Sequence, residues 1–160
     1  MAAEQPVTQI MTVDVLATAP ETSIAQVART MSENGISGLP VIDADNNLVG
    51  IITETDIISH EIQVDTPTFV PILDWIIRMP GDTSEDDLRR VLATCAGQLM
   101  TAPVYSVTVD ATVREVATLM FERQVNPVPV LNHDNQVVGI VSRSDIVRLI
   151  AEAEASLSAS

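Results

Sequence analysis

Apolar residues at Ile24, Val27, Ala28 and Met31 fall at the i, i+3, i+4, i+7 spacing of one helical face, with mostly polar residues between them. The spacing predicts a helix over residues 23–34, capped by Thr22 or Ser23 and stopped at Gly35. The period then changes. Runs rich in β-branched residues at 39–42 and 48–52 flank Asp43-Ala44-Asp45-Asn46-Asn47, the pattern of two strands joined by a hairpin. Residues 15–18 predict a short strand ahead of the helix, and residues 54–59 a short helix after the hairpin. The succession then returns. Val113, Val116, Ala117 and Met120 form a second stripe. Strands at 128–131 and 137–141 flank Asn132-His133-Asp134-Asn135-Gln136, and a closing helix is expected over 143–152.

The two successions superimpose without a gap when Met11 is laid on Met100, a shift of 89 residues. An internal repeat of this length fixes the architecture ahead of any local motif. The expected fold class is α/β (α+β), built from two pseudo-symmetric β-α-β-β-α units with packed sheets. The expected boundaries are 7–60 for the first repeat, 61–97 for a connector, 98–152 for the second repeat and 153–160 for a disordered tail. Within the connector, Ile72, Trp75, Ile76 and Ile77 make an apolar patch that reads either as packing against the repeats or as a dimer or partner contact. A helix is expected to start near Asp82. Clefts between two such units are natural ligand sites.

Composition narrows the function. The chain has 160 residues, 46% of them hydrophobic and only 2% aromatic, so aliphatic side chains fill the interior. It contains no lysine, and its net charge is −14. Such a surface repels phosphate backbones and anionic lipid, which argues against nucleic-acid or membrane partners. The single cysteine, Cys95, excludes an intrachain disulfide and fits a reducing cytoplasm. The opening MAAEQPV has neither the basic nor the apolar region of a signal peptide, so a cytoplasmic location is expected. No Ser-His-Asp or Cys-His grouping, metal-ligand cluster or P-loop is present, which argues against an enzyme, a required cofactor or a metal.

The candidate chemistry lies in Gly50-Ile51-Ile52-Thr53-Glu54-Thr55-Asp56 and Gly139-Ile140-Val141-Ser142-Arg143-Ser144-Asp145. Each places a hydroxyl at a strand end and an aspartate one turn into a helix. Helix N-terminal amides attract phosphate, and a carboxylate can accept from ribose hydroxyls. The same Thr53-x-x-Asp56 and Ser142-x-x-Asp145 spacing also describes a capping box that needs no ligand. Capping boxes favour the longer Glu or Gln, so two aspartates lean towards a ligand.

These two segments, with Met11-Thr12 and Met100-Thr101 and the runs Ile36-Ser37-Gly38-Leu39-Pro40-Val41 and Val125-Asn126-Pro127-Val128-Pro129-Val130, resemble a tandem pair of cystathionine-β-synthase-type (CBS) motifs, a Bateman module. The resemblance covers residues 7–150. It implies two clefts that bind adenosine-containing ligands, each cleft mixing residues of both repeats. One would join Ser142, Arg143, Ser144 and Asp145 to Leu16, Ile36, Ser37 and Gly38. The other would join Thr53, Thr55 and Asp56 to Tyr105, Val125, Asn126 and Pro127. Arg143, and the free amide of Gly38 where the other cleft has Pro127, favour the Asp145 cleft for a phosphorylated ligand; Glu54 disfavours the other. Neither Ser37 nor Asn126 is basic, so AMP is expected ahead of ADP or ATP. The implied function is a regulatory sensor of an adenine nucleotide, dimeric and acting on a separate effector protein. The alternatives are a ligand-free dimerisation module, or a sensor of S-adenosylmethionine or a cyclic dinucleotide.

Overall fold

The computed structural model describes residues 2–63 and 94–159, so the expected apolar patch around Trp75 and the helix from Asp82 lie outside the described residues. Two short 3-10 turns, Ala2–Glu4 and Val7–Gln9, lead the chain. The first repeat contains α1 (Ile24–Asn34), β1 (Gly38–Ile42), β2 (Leu48–Thr53) and α2 (Glu54–Gln63). The second contains α3 (Ala96–Leu99), β3 (Val107–Thr108), α4 (Val113–Arg123), β4 (Val128–Leu131), β5 (Val137–Val141) and α5 (Arg143–Ser158).

Local chemistry accounts for most of these bounds. Ser23 caps α1 by accepting from the Gln26 N–H, and Gly35 ends the helix at φ 60°, a left-handed conformation in which glycine carries no Cβ penalty. Gln124 adopts the same conformation after α4 without that freedom. In the hairpins, Asp43 Oδ1 accepts from the N–H groups of Asp45 and Asn47, and Asn132 Oδ1 accepts from those of Asp134 and Gln136. Asn46 and Asn135 supply the positive φ that each loop requires.

Three expectations change. Residues 15–18 form no strand; the segment contributes one parallel bridge, Thr18 to Val41, so the first sheet has two strands and the second three. The last helix does not stop at residue 152 but runs through Ser158, so residues 153–158 are helical rather than disordered. Helix α3 starts at Ala96, inside the expected connector, and Ala96 is fully buried.

The core is divided by repeat, but its leading segments are exchanged. Ile24, Val27, Met31, Leu39, Val41 and Ile52 of the first repeat pack with Ala96, Leu99 and Met100 from the start of the second. Val116, Met120, Val128, Val130 and Val141 of the second pack with Val7, Ile10 and Met11 from the start of the first. Backbone bridges fix the exchange: Thr12 pairs with Ile140, and Thr101 with Ile51. The absence of a side chain at Gly50 and Gly139 admits Met100 and Met11, whose side chains occupy the space a Cβ would need. The repeats also touch at the start of β1 and β4, where Gly38 lies against the Pro127 ring.

Candidate functional site

Crossing the leading segments leaves two clefts at the seam between the repeats. The first, about 200 Å³, is lined by Thr12, Asp14, Leu16, Ile36, Ser37, Gly38, Ser142 and Asp145 among others. The second, about 400 Å³, is lined by Thr53, Glu54, Thr55, Asp56, Thr101, Pro103, Val104, Tyr105, Val125, Asn126, Pro127 and Arg143 among others. Ser37 and Pro127 line both.

The sequence grouping is therefore reproduced with two exceptions. Leu16, Ile36, Ser37, Gly38, Ser142 and Asp145 share the first cleft, and Thr53, Thr55, Asp56, Tyr105, Val125, Asn126 and Pro127 share the second. Arg143 lines the Asp56 cleft, not the Asp145 cleft. It lies two residues before Asp145 at the start of α5, and two positions on a helix turn a side chain through roughly 200°. Sharing a motif does not make them share a cleft. Ser144 lines neither cleft; its hydroxyl lies 2.6 Å from the Ser142 hydroxyl. Arg143 therefore cannot favour phosphate in the Asp145 cleft.

Both aspartates cap their helices. The Thr53 N–H and hydroxyl donate to Asp56 Oδ2 at 2.8 and 3.0 Å. The Ser142 N–H and hydroxyl donate to Asp145 Oδ2 at 2.7 and 2.9 Å. An aspartate is thus long enough for this cap, and its presence in place of glutamate carries no argument for a ligand. The cap uses only one oxygen, however. The other differs between the repeats: Asp56 Oδ1 accepts from the Thr101 hydroxyl at 3.2 Å, and Asp145 Oδ1 from Arg148 Nη2 at 2.6 Å. A carboxylate oxygen has two lone pairs, so each Oδ1 keeps one acceptor position.

Asn126 ties the seam. Its Nδ2 donates to Ser37 Oγ at 3.4 Å, and its Oδ1 accepts from the Arg143 N–H at 2.9 Å. Tyr105 stands half-exposed at the Asp56 cleft with the Arg123 guanidinium 5.1 Å from its ring centroid, a cation–π contact. The expected site residues include neither Thr101, named above only in the repeated Met-Thr pair, nor Arg148. The recurrence of Thr12 and Thr101 after the repeated methionine was the available signal for the first; nothing in the pattern marked the second. Among the described residues, no group of three His, Cys, Asp or Glu side chains is placed to hold a metal, and no helix is long and apolar enough to cross a membrane.

Known proteins share this arrangement. Protein MJ1426 of Methanocaldococcus jannaschii is 28% identical over 138 residues, covering 81% of this chain and 82% of that protein. The crystal structure of the CBS domain pair of protein MJ0100 in complex with 5′-methylthioadenosine and S-adenosyl-L-methionine is 26% identical, with a TM-score of 0.72 over 93% of this chain and 98% of that one. CBSX2 of Arabidopsis thaliana, solved in complex with AMP, matches in fold at 23% identity and a TM-score of 0.70, covering 94% and 98% of the two chains. The family model for the CBS domain matches twice, at residues 7–62 and 96–152, and the chain belongs to the CBS domain family as a tandem pair.

Proposed function

We propose that this CBS pair is a regulatory sensor that binds an adenosine-containing nucleotide, AMP foremost and ADP or ATP next, in the Asp56 cleft, and reports occupancy to a partner protein. The observation that carries this reading is the set of groups that meet there: a carboxylate with a spare acceptor, hydroxyls at Thr53 and Thr55, the Tyr105 ring and Arg143. In this reading the ribose donates to Asp56, the adenine lies among Tyr105, Val104 and Val125, and Arg143 faces the phosphate. At about 400 Å³ the cleft falls within the range of roughly 300–1,000 Å³ usual for small-molecule sites. One arginine against Glu54 and Asp56 supports a monophosphate better than a triphosphate. The adenosine moiety shared by both ligands of the MJ0100 pair supports the ligand class.

A homodimer and a separate effector protein are the partners we infer for it. An apolar groove of about 480 Å³ along α4 and α5, with Phe121 and Ile150 exposed, offers a face for contact. The competing reading is a ligand-free dimerisation module, favoured by the caps that both aspartates make.

Calorimetric titration and thermal melting with AMP, ADP, ATP, S-adenosylmethionine and a cyclic dinucleotide decide between them. AMP at 100 times its Kd should add about 2.7 kcal/mol of stability. Asp56→Ala should abolish that gain while retaining the far-UV spectrum of the fold. Arg143→Ala should weaken AMP about tenfold, the loss of one charge-assisted contact, and leave adenosine unaffected. If no compound shifts the melting temperature, the ligand-free reading prevails.

A further inference from the structure

The two repeats present the same aspartate to the seam but hold its outer oxygen differently. Asp56 Oδ1 takes a neutral hydroxyl, Thr101, at 3.2 Å. The repeat-related pair would be Asp145 and Thr12, and Thr12 does line the Asp145 cleft. Yet Asp145 Oδ1 takes the Arg148 guanidinium at 2.6 Å. The position corresponding to Arg148 in the first repeat is Ser59, whose short side chain carries no charge.

We propose that Arg148 selects which cleft takes the nucleoside: its short charge-assisted bond leaves the free lone pair of Asp145 Oδ1 a poorer acceptor for a ribose hydroxyl than that of Asp56 Oδ1, so the Asp56 cleft is the one that fills. The inference rests on the adenosine-binding reading above and goes beyond it by assigning site number to one residue. An incoming ribose hydroxyl is a neutral donor. At Asp56 it shares the oxygen with another neutral hydroxyl over a long contact. At Asp145 it shares the oxygen with a short charge-assisted bond, roughly twice as strong, which already draws on the carboxylate's charge. Asp145 is only 7% exposed, so water does little to replace what the arginine supplies. Arg148 does not enter the cleft. It lines a separate polar groove of about 550 Å³ with Gln5, Gln9 and Glu152, and Asp145 is the wall common to both spaces. The arginine therefore acts on the carboxylate from behind, and its own side chain is 61% exposed, so its removal leaves the core intact.

The experiment is calorimetric titration of adenosine, an uncharged probe, into the full chain and into Arg148→Ser, Arg148→Lys, Asp56→Ala and Asp56→Ala/Arg148→Ser, with far-UV spectra confirming the fold of each. The wild type should bind about one adenosine per chain, Asp56→Ala none, and Arg148→Ser about two. The double variant should regain about one, with affinity at least about tenfold above any residual binding by Asp56→Ala. Arg148→Lys keeps the charge and should stay at one. Should Arg148→Ser unfold, Arg148→Gln, which keeps the aliphatic stem, takes its place. A wild type that binds one adenosine and an Arg148→Ser variant that also binds one overturns this inference alone. A wild type that binds two overturns it as well, and so does a lysine variant that behaves like the serine variant. Binding by none of the proteins overturns both this inference and the reading beneath it.

Discussion

Glu115 shows what a carboxylate three residues past an N-cap does for its helix. The Thr112 N–H and hydroxyl donate to Glu115 Oε2 at 2.7 and 3.0 Å, and these bonds hold its carboxyl below the usual range. Asp43 in the first hairpin is lowered too, chiefly by the backbone N–H of Asn47 and then by its side chain. A depressed folded-state pKa means the unfolded chain takes up the proton first as pH falls. The stabilisation is complete above the ordinary carboxylate range and is lost as pH drops through that range towards the lower folded value. Stability should therefore decline below about pH 5, and Glu115→Gln should show a shallower decline than the wild type. Urea midpoints across an acid series measure it; parallel curves for the two proteins would remove Glu115 from the explanation. Asp56 and Asp145 make the same kind of cap with a shorter arm, as closely as Glu115 does. Cap and ligand site therefore cannot be told apart by residue type, because one carboxylate has acceptors for both.

At the scale of elements, the exchange of leading segments rests on two glycines. A Cβ built at Gly50 would meet the Met100 side chain, with Cγ at 2.7 Å, and Gly139 stands in the same relation to Met11. Gly50→Ala should therefore destabilise by about 1–3 kcal/mol, the usual cost of overpacking. Combined with Met100→Ala, the alanine at 50 gains room, so the double variant should lose less than the two single losses together, by at least about 0.5 kcal/mol. Denaturant unfolding of the three variants measures the coupling; strict additivity would mean that Met100 moves aside freely. The local parts of this architecture were legible in the sequence. Strands β4 and β5 occupy the predicted residues, and α1 follows its apolar stripe from Ser23 to Gly35. Hairpin loops and caps depend on residues close in sequence, so pattern suffices for them. The strand at 15–18 shrank to one bridge because β-branched residues alone do not supply a partner along its length. Helix α5 continues past the expected end at 152 to Ser158, through Ala153, Glu154 and Ala155, which are good helix formers. The crossing of Met11 and Met100, the Arg148–Asp145 pair and the cleft to which Arg143 belongs are tertiary facts that neither period nor spacing encodes.

For the whole molecule, the exchange has a thermodynamic consequence. Each core is completed by residues of the other repeat: Val7, Ile10 and Met11 in one, Ala96, Leu99 and Met100 in the other. Opening either core withdraws apolar contacts from both, and the bridges Thr12 to Ile140 and Thr101 to Ile51 break with them. The repeats should thus unfold as one cooperative unit, with calorimetric and van't Hoff enthalpies in agreement. Amide exchange locates this by residue. Val41 and Val130 are fully buried at corresponding places in the two sheets, and their amides should report the same opening free energy if only global unfolding exposes them. Gly139→Ala, which disturbs the Met11 contact in the second core, should lower the protection of Val41 in the first by the same amount as that of Val130. If Val130 loses protection while Val41 keeps it, each repeat stands alone and the crossed segments are mere surface decoration. If both fall together, a ligand in the Asp56 cleft, which draws Thr53 from one repeat and Tyr105 from the other, stabilises the whole pair rather than one half. That coupling would give a single binding event the reach that the proposed sensor needs.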